Sequence, residues 1–525
     1  MSAIAKVSGN GIASAPRSGL GLSRSVGLVG LRGHVVEVEA HLAQGLPGFA
    51  IVGLPDAALS ESRDRVRAAI ASTGLALPHR RITVNLAPAS LPKRGSGFDL
   101  AIAVALLAAA RIVRPQECAK FVMLGELGLD GRVHPVRGVL PAVAAAVAQG
   151  HRRIVVAAQN AREAALVPDA EVHQVASLGD AAVLLGADPG DVVSSDSPVI
   201  TADQAVPRAD VGDLSDVVGQ HQARYALEIA AAGGHHMLMV GPPGAGKTML
   251  AKRLPTILPD LTDEQAVEVT AIHSLAGSLD PSLGLIRRPP FEAPHHTATA
   301  AAIVGGGSGL PRPGAVSLAH CGTLFLDESP EFKSSVLQTL RQPIEAGELV
   351  IHRSGGVARY PARFQLVMAA NPCPCGMDEQ RCQCTSLVQR RYFSRLSGPL
   401  LDRVDLHCQL RGIRLGDMSG EQMESSASVA LRVSAARSAA AKRLQDTPWT
   451  LNSQVPGPWL RQNWSIRDAV LEPVQQAISR GHISMRAADR ILRVAWTVAD
   501  LAGRAAPDRS DVSAALALRA GGPAQ

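Results

Sequence analysis

Aromatic side chains are nearly missing: eight Phe, four Trp and three Tyr make up 3% of 525 residues. A core this poor in rings has to close through small aliphatic groups. Alanine carries much of the 46% hydrophobic content, so helices packed through small residues are expected. Long apolar runs are lacking too. The longest, LAIAVALLAAA at 100–110, stops after eleven residues. A membrane span needs roughly 18–20, so this run predicts a buried helix and no membrane partner. The N-terminal stretch lacks a compact apolar segment followed by a cleavage site. Cysteine is scarce and odd in number at seven, and four of the seven fall within 373–384. That bunching argues against a secreted disulfide framework and for a reducing, cytoplasmic setting. Charge excess is small, at +6. It permits a polyanionic partner without establishing one.

The length calls for two or three domains. Residues 1–22, rich in Gly, Ser and Ala, read as a disordered arm. From 23 to 187 the pattern is α+β. A hairpin turns around Gly30 and Gly33, a strand runs over 49–55, a helix over 57–74 and a strand over 81–89. A helix follows from about Asp99 to Ala110. FVMLGELGLDGRVHPV (121–136) reads as a second hairpin turning at Asp130-Gly131. Residues 188–211 form the best linker. An α/β region spans 212–415, and 416–525 is helical by pattern, with breaks expected at Pro448, Pro456, Pro458 and Pro473. Within it, 483–503 carries apolar residues at helical spacing and ends on glycine. No internal repeat is found.

HHMLMVGPPGAGKTMLAKRL (235–254) is the most informative stretch. An apolar strand, Met237–Val240, runs into Gly241, Pro242, Pro243, Gly244, Ala245, Gly246, Lys247 and Thr248, and then into a helix. This is the G-x-x-x-x-G-K-[ST] phosphate loop in its required strand–loop–helix setting. Backbone N–H groups can turn inward around phosphates, helped by the helix N-terminus. Lys247 is expected to reach the β- and γ-phosphates of ATP and Thr248 to hold Mg²⁺. Some eighty residues on, GTLFLDESPEF (322–332) places Asp327 and Glu328 at the end of a buried strand. Alone, such a pair is usually a cap. After a phosphate loop, Asp327 can hold Mg²⁺ through water and Glu328 can polarise the attacking water. A third apolar strand, 364–370, ends at Asn371, which can sense the γ-phosphate; the competing reading is a turn former before Pro372.

Taken together, GPPGAGKT, GTLFLDESPEF, MAANPCPCG and RLSGPLLDRVDLH resemble the Mg-chelatase-like branch of the AAA+ ATPases. FEAPHHTATAAAIVGGGSGLPRPGAVSLAH (291–320) is similar to that branch's insertion in its second helix. Over about 23–515 the chain resembles the ComM/YifB family. The resemblance implies an α/β multidomain fold: a Lon-protease-like N-terminal domain, an AAA+ core and a C-terminal helical lid. It implies that Arg403 is an arginine finger serving a neighbouring subunit, with Arg395 as runner-up, and that Arg486 is a lid sensor arginine. It further implies a homo-hexameric ring, DNA as partner, and a helicase that drives branch migration. A chelatase-type motor inserting Mg²⁺ into a porphyrin and an ATP-binding scaffold without turnover are the competing readings.

Other features stay open at this level. Arginines on the loop 305–314 and on the hairpin 351–364, among them Arg353 and Arg359, suit a phosphate backbone, or form an ordinary solvated surface. His295 and His296 are adjacent, make a poor metal pair, and read as structural. In the N-terminal domain, PKRGSGF (92–98) resembles the nucleophile loop of Lon-like proteases. Gly97 stands where the nucleophile would be, with Ser96 beside it and Leu140 in place of the lysine base. Without that lysine a serine is a poor nucleophile, so a scaffold or nucleic-acid platform is expected. Cys373, Cys375, Cys382 and Cys384 form two C-x-C pairs that can supply four thiolates to Zn²⁺. Free thiols in a tight loop and a redox-sensitive pair are the alternatives.

Overall fold

The computed structural model describes residues 19–53, 57–91, 93, 95–193, 212–307, 311–353, 356–377, 382–396, 398–412, 423–464 and 468–520. Two compact units result, 1–204 and 205–525. Most of the expected linker and all but the end of the expected arm lie outside the described residues.

The first unit is built on β1 (Leu20–Val29), β2 (Arg32–Ala43), β3 (Gly48–Val52), β4 (Arg81–Ala87), β5 (Phe121–Leu124), β6 (Glu126–Leu127), β7 (Val133–His134), β8 (Arg153–Ala157) and β9 (Glu171–Val175). Seven of these form one sheet in the order β3-β4-β2-β1-β5-β8-β9. The β1–β2 hairpin is antiparallel, whereas β5, β8 and β9 run parallel. β1 already begins at Leu20, inside the stretch expected as an arm.

The expected hairpin over 121–136 is corrected. All four side chains of β5 are buried, and the strand lies between β1 and β8 in the main sheet. Only the short β6 and β7 pair across the Asp130-Gly131 turn. A strand buried on both faces shows no alternation, so its partner could not be read from its pattern.

The helix Asp99–Ala109 is buried along its whole length. It approaches β1 so closely that a Cβ on Gly21 would lie 2.1 Å from the Ala105 carbonyl oxygen. Small residues on both sides permit this approach, which is how a core nearly without rings reaches native density. Asp99 opens that helix from a fully buried position. It accepts from Arg65 Nε at 2.6 Å and from the Leu127 amide at 3.3 Å. Leaving either charge without the other would cost about 3–5 kcal/mol.

The second unit carries β10 (Met237–Val240), β11 (Phe291–Glu292), β12 (Thr323–Leu326), β13 (Glu348–Arg353), β14 (Gly356–Pro361), β15 (Gln365–Ala370) and β16 (Leu406–Gln409). Five form a parallel sheet in the order β11-β12-β15-β10-β16. Strands β10, β12 and β15 are buried throughout, as continuous apolar runs covered on both faces should be. β13 and β14 form a separate hairpin. Past residue 423 the described elements are helical, with Ser426–Arg443, Asp468–Ser479, Met485–Leu501 and Arg509–Ala520 the longest. Pro473 does not break the chain as expected but lies within Asp468–Ser479. As the sixth residue it forgoes an intrahelical N–H bond, yet the helix continues, with Val470, Val474 and Ile478 packed on the core.

Candidate functional site

Three adjacent parallel strands deliver the site. In register, Val240 faces Ala370 and Leu326 faces Met368. The loops after β10, β12 and β15 therefore leave the same edge of the sheet together. Crevices at the carboxyl ends of such strands are where α/β proteins hold ligands. Gly244 and Gly246 take left-handed φ of 77° and 88°, which a side-chain-bearing residue rarely adopts. The helix Lys247–Ile257 follows at once, its N-terminus at the loop.

Lys247 is 8% exposed. Its ammonium donates to the Gly241 carbonyl at 2.6 Å, the Pro242 carbonyl at 3.0 Å and Asn371 Oδ1 at 3.0 Å. Burial pulls its pKa below the ordinary lysine value, and the negative charges of Asp327 and Glu328 act the other way. Thr248 Oγ1 donates to Asp327 Oδ2 at 2.6 Å, and Asp327 Oδ1 accepts the Glu328 amide at 2.9 Å. Lys247, Thr248, Asp327, Glu328 and Asn371, spread over some 120 residues of chain, are thus one constellation. It fits Mg·ATP. The buried ammonium and the helix N-terminus at the loop suit phosphates, and the hard oxygens of Thr248 and Asp327 suit Mg²⁺. When bound, the ion would neutralise charge on the phosphate oxygens.

One partner was missed by sequence reasoning. His296, expected to be structural, sets Nδ1 3.2 Å from Glu328 Oε2. Glu328 itself has φ of 48° and is 51% exposed. Only the fold brings the loop after β11 beside the loop after β12, so adjacency to His295 gave no signal. An exposed pair of this kind is worth about 1 kcal/mol or less. Replacing His296 with alanine should release the carboxylate and raise basal hydrolysis by no more than about 5-fold. Phosphate release without added nucleic acid measures this; a tenfold loss would mean that His296 orients Glu328 rather than restraining it.

The arginines stand elsewhere. Met237 and Leu406 are in register as the first residues of β10 and β16, and Arg403 precedes β16. The phosphate loop leaves the other end of β10, about 13 Å of strand away for four residues. Arg403 pairs with Glu345. Its pKa is lowered by burial and then by the positive charges of Arg341, Arg490 and Arg486. Arg490 in turn approaches Asp405, which is buried and bonded to His235 at 3.2 Å. Arg486 is exposed and shares this cationic cluster with Arg403. By contrast, Arg395 pairs with Glu331 at 3.0 Å, one short turn past Glu328.

The two arginine-bearing inserts meet. Gly306 bridges Arg312, and Tyr360 of β14 donates to the Pro311 carbonyl. Arg359 pairs with Glu348 at 3.0 Å across the hairpin. The side chain of Arg353 and residues 308–310 lie outside the described residues. In the first unit the Ser96 hydroxyl is bonded to Glu126, and Leu140 is an apolar core residue at 1% exposure. The four clustered cysteines converge just beyond Asn371, their sulfurs all within 4.8 Å of one another.

A phosphate loop, an acidic strand end and a polar strand tip on one parallel sheet define a P-loop ATPase class, and family models narrow it. The chain matches the model described as magnesium chelatase, subunit ChlI, over 213–418. It also matches subunit ChlI of Mg-chelatase over 38–160 and the ChlI C-terminal model over 423–519. The class is therefore that of the Mg-chelatase-like AAA+ ATPases. Competence protein ComM of Haemophilus influenzae is 40% identical over 497 residues, covering 94% of this chain and 96% of its own. Protein YifB of Escherichia coli is 42% identical over 489 residues, 92% of each chain. The chain belongs to the ComM/YifB family. The magnesium-chelatase 38 kDa subunit of Rhodobacter capsulatus is 28% identical over 177 residues, 30% of this chain and 50% of its own.

Proposed function

We propose that this protein is a ring-forming Mg·ATP hydrolase that converts turnover into movement on DNA, as a branch-migration helicase of the cytoplasm. One observation carries the reading. The hydrolytic groups Lys247, Thr248, Asp327, Glu328 and Asn371 gather at one end of the sheet. The cationic group Arg403, Arg486 and Arg490 gathers at the other. An arginine finger stabilises charge on a transferring phosphoryl group, and a second copy can supply it by presenting its arginine end to this copy's phosphate loop. Repeating that head-to-tail contact closes a ring, for which a homo-hexamer is the natural size in this class. On this reading the helices past 423 form the lid, and the first unit is a Lon-like, non-proteolytic platform.

DNA as the track is supported by the name of the competence relative, by the excess of six positive charges and by the adjoining inserts bearing Arg312 and Arg359. A chelatase-type motor fits less well, since the chelatase subunit aligns with 30% of this chain. Hydrolysis should be stimulated by single-stranded, forked or four-way DNA, with strand displacement on the branched forms. Because phosphate contacts release counterions, stimulation should fall steeply between 50 and 200 mM salt, by about 10³-fold in affinity for six contacts. ATPase and displacement assays on the three DNAs test this. If none is remodelled and none stimulates hydrolysis, the DNA-motor reading fails.

A further inference from the structure

Cys373 and Cys375 lie two and four residues past the sensor residue Asn371, and Cys382 and Cys384 return the chain to the helix Ser386–Phe393. Their sulfurs are joined by no disulfide. Cys373 lies 2.9 Å from Cys375 and 3.3 Å from Cys382, and Cys375 lies 3.7 Å from Cys382. Four sulfurs held at 2.3 Å from a tetrahedral zinc stand about 3.8 Å from one another. The cluster therefore needs only a small expansion to enclose an ion. A donor already faces the cluster, since Gln389 Nε2 donates to Cys382 Sγ at 3.5 Å. An outer donor of this kind offsets part of the net negative charge that four thiolates leave on a divalent ion.

The knuckle also touches the hydrolytic machinery. Gly376 has φ of 70°, and a Cβ there would lie 3.1 Å from Pro243 Cγ of the phosphate loop. Tyr392, on the helix that follows the last cysteine, is buried, and its hydroxyl meets the Asn371 backbone. Arg395, just past that helix, pairs with Glu331 beside the Glu328 turn. A fixed knuckle thus braces the exit of β15 against the phosphate loop.

We propose that Cys373, Cys375, Cys382 and Cys384 bind one zinc ion as a structural tetrathiolate, and that this ion locks Asn371 and the phosphate loop in mutual register. Binding replaces four S–H bonds by four Zn–S bonds and releases four protons, and no electrons move. The locking role rests on the ATPase reading; the metal site does not.

The full chain, purified under reducing conditions without added metal, should carry about one zinc per chain by elemental analysis. Cobalt exchange should give the absorption of a tetrahedral thiolate site. The Cys375→Ser/Cys382→Ser double variant should lose the zinc and about nine-tenths or more of the hydrolysis rate, since small misplacements of reacting groups cost up to about 10²-fold. Because that variant can misfold, the wild-type chain is also treated with a mercurial. Zinc should appear in step with lost hydrolysis, and thiol plus zinc should restore both. Iron with visible absorption, zinc kept by the double variant, or under about one-tenth zinc per chain overturns the site. Zinc lost with hydrolysis unchanged overturns the locking role. Full zinc without any hydrolysis would instead overturn the ATPase reading and leave the site standing.

Discussion

Arg403→Ala should lower ATP turnover by about 10³–10⁵-fold, the range for a lost arginine finger, while nucleotide binding at each chain's own phosphate loop persists. The reason is geometric. Arg403 precedes β16 at the sheet end remote from Lys247, so in the proposed ring its guanidinium would serve a phosphoryl group held by another copy. In the single chain it is engaged by Glu345, a contact it must exchange for phosphate oxygens when the ring forms. Lysine should not substitute well, because a point charge lacks the planar fork that grips several oxygens. Mixing gives the decisive readout. Arg403→Ala and Lys247→Ala chains should each be inactive alone, but together they should recover turnover. In a mixed ring, some intact phosphate loops face intact arginines. Recovery of nothing on mixing, or Arg403→Ala turnover within tenfold of wild type, would sink the shared-site arrangement.

Glu328→Gln should cut hydrolysis by about 10²–10⁴-fold, the usual worth of a positioned general base, and leave ATP binding intact. The Glu328 carboxylate takes no part in the bonds described for the phosphate loop. Lys247 is held by Gly241, Pro242 and Asn371, and Thr248 by Asp327. The amide therefore removes the proton acceptor without disturbing the cradle. Asp327→Asn, by contrast, weakens the acceptor for Thr248 and should raise the Mg²⁺ concentration needed for half-maximal rate. Binding of a fluorescent ATP analogue beside single-turnover hydrolysis separates the two effects. Wild-type turnover in Glu328→Gln would remove this residue from the role assigned to it.

The phosphate loop and the acidic pair were legible because each is local. Backbone geometry demands glycine at 244 and 246, and a buried strand ending in Asp327-Glu328 has a composition that few other settings share. The alanine-rich run at 100–110 was equally plain, because an unbroken apolar stretch of that length fits only a buried helix. β5 was misassigned to a hairpin for the opposite reason. Its four residues are apolar on both faces, and nothing within Phe121–Leu124 states which strands lie beside it. Pro473 misled in a similar way, since only the packing of Val470, Val474 and Ile478 shows that the helix runs on past it.

The sequence by itself determined the chemistry on offer: a phosphate cradle, two carboxylates, a polar strand tip, four clustered thiols and several arginines. Those identities follow from residue type and short spacing, which physics reads locally. Tertiary structure alone decided who stands beside whom. It set His296 against Glu328, leaned Gly376 on Pro243, and parted Arg403 from the phosphate loop by the length of a strand. Strand order and parallel register make those choices, and they depend on packing between segments tens to hundreds of residues apart.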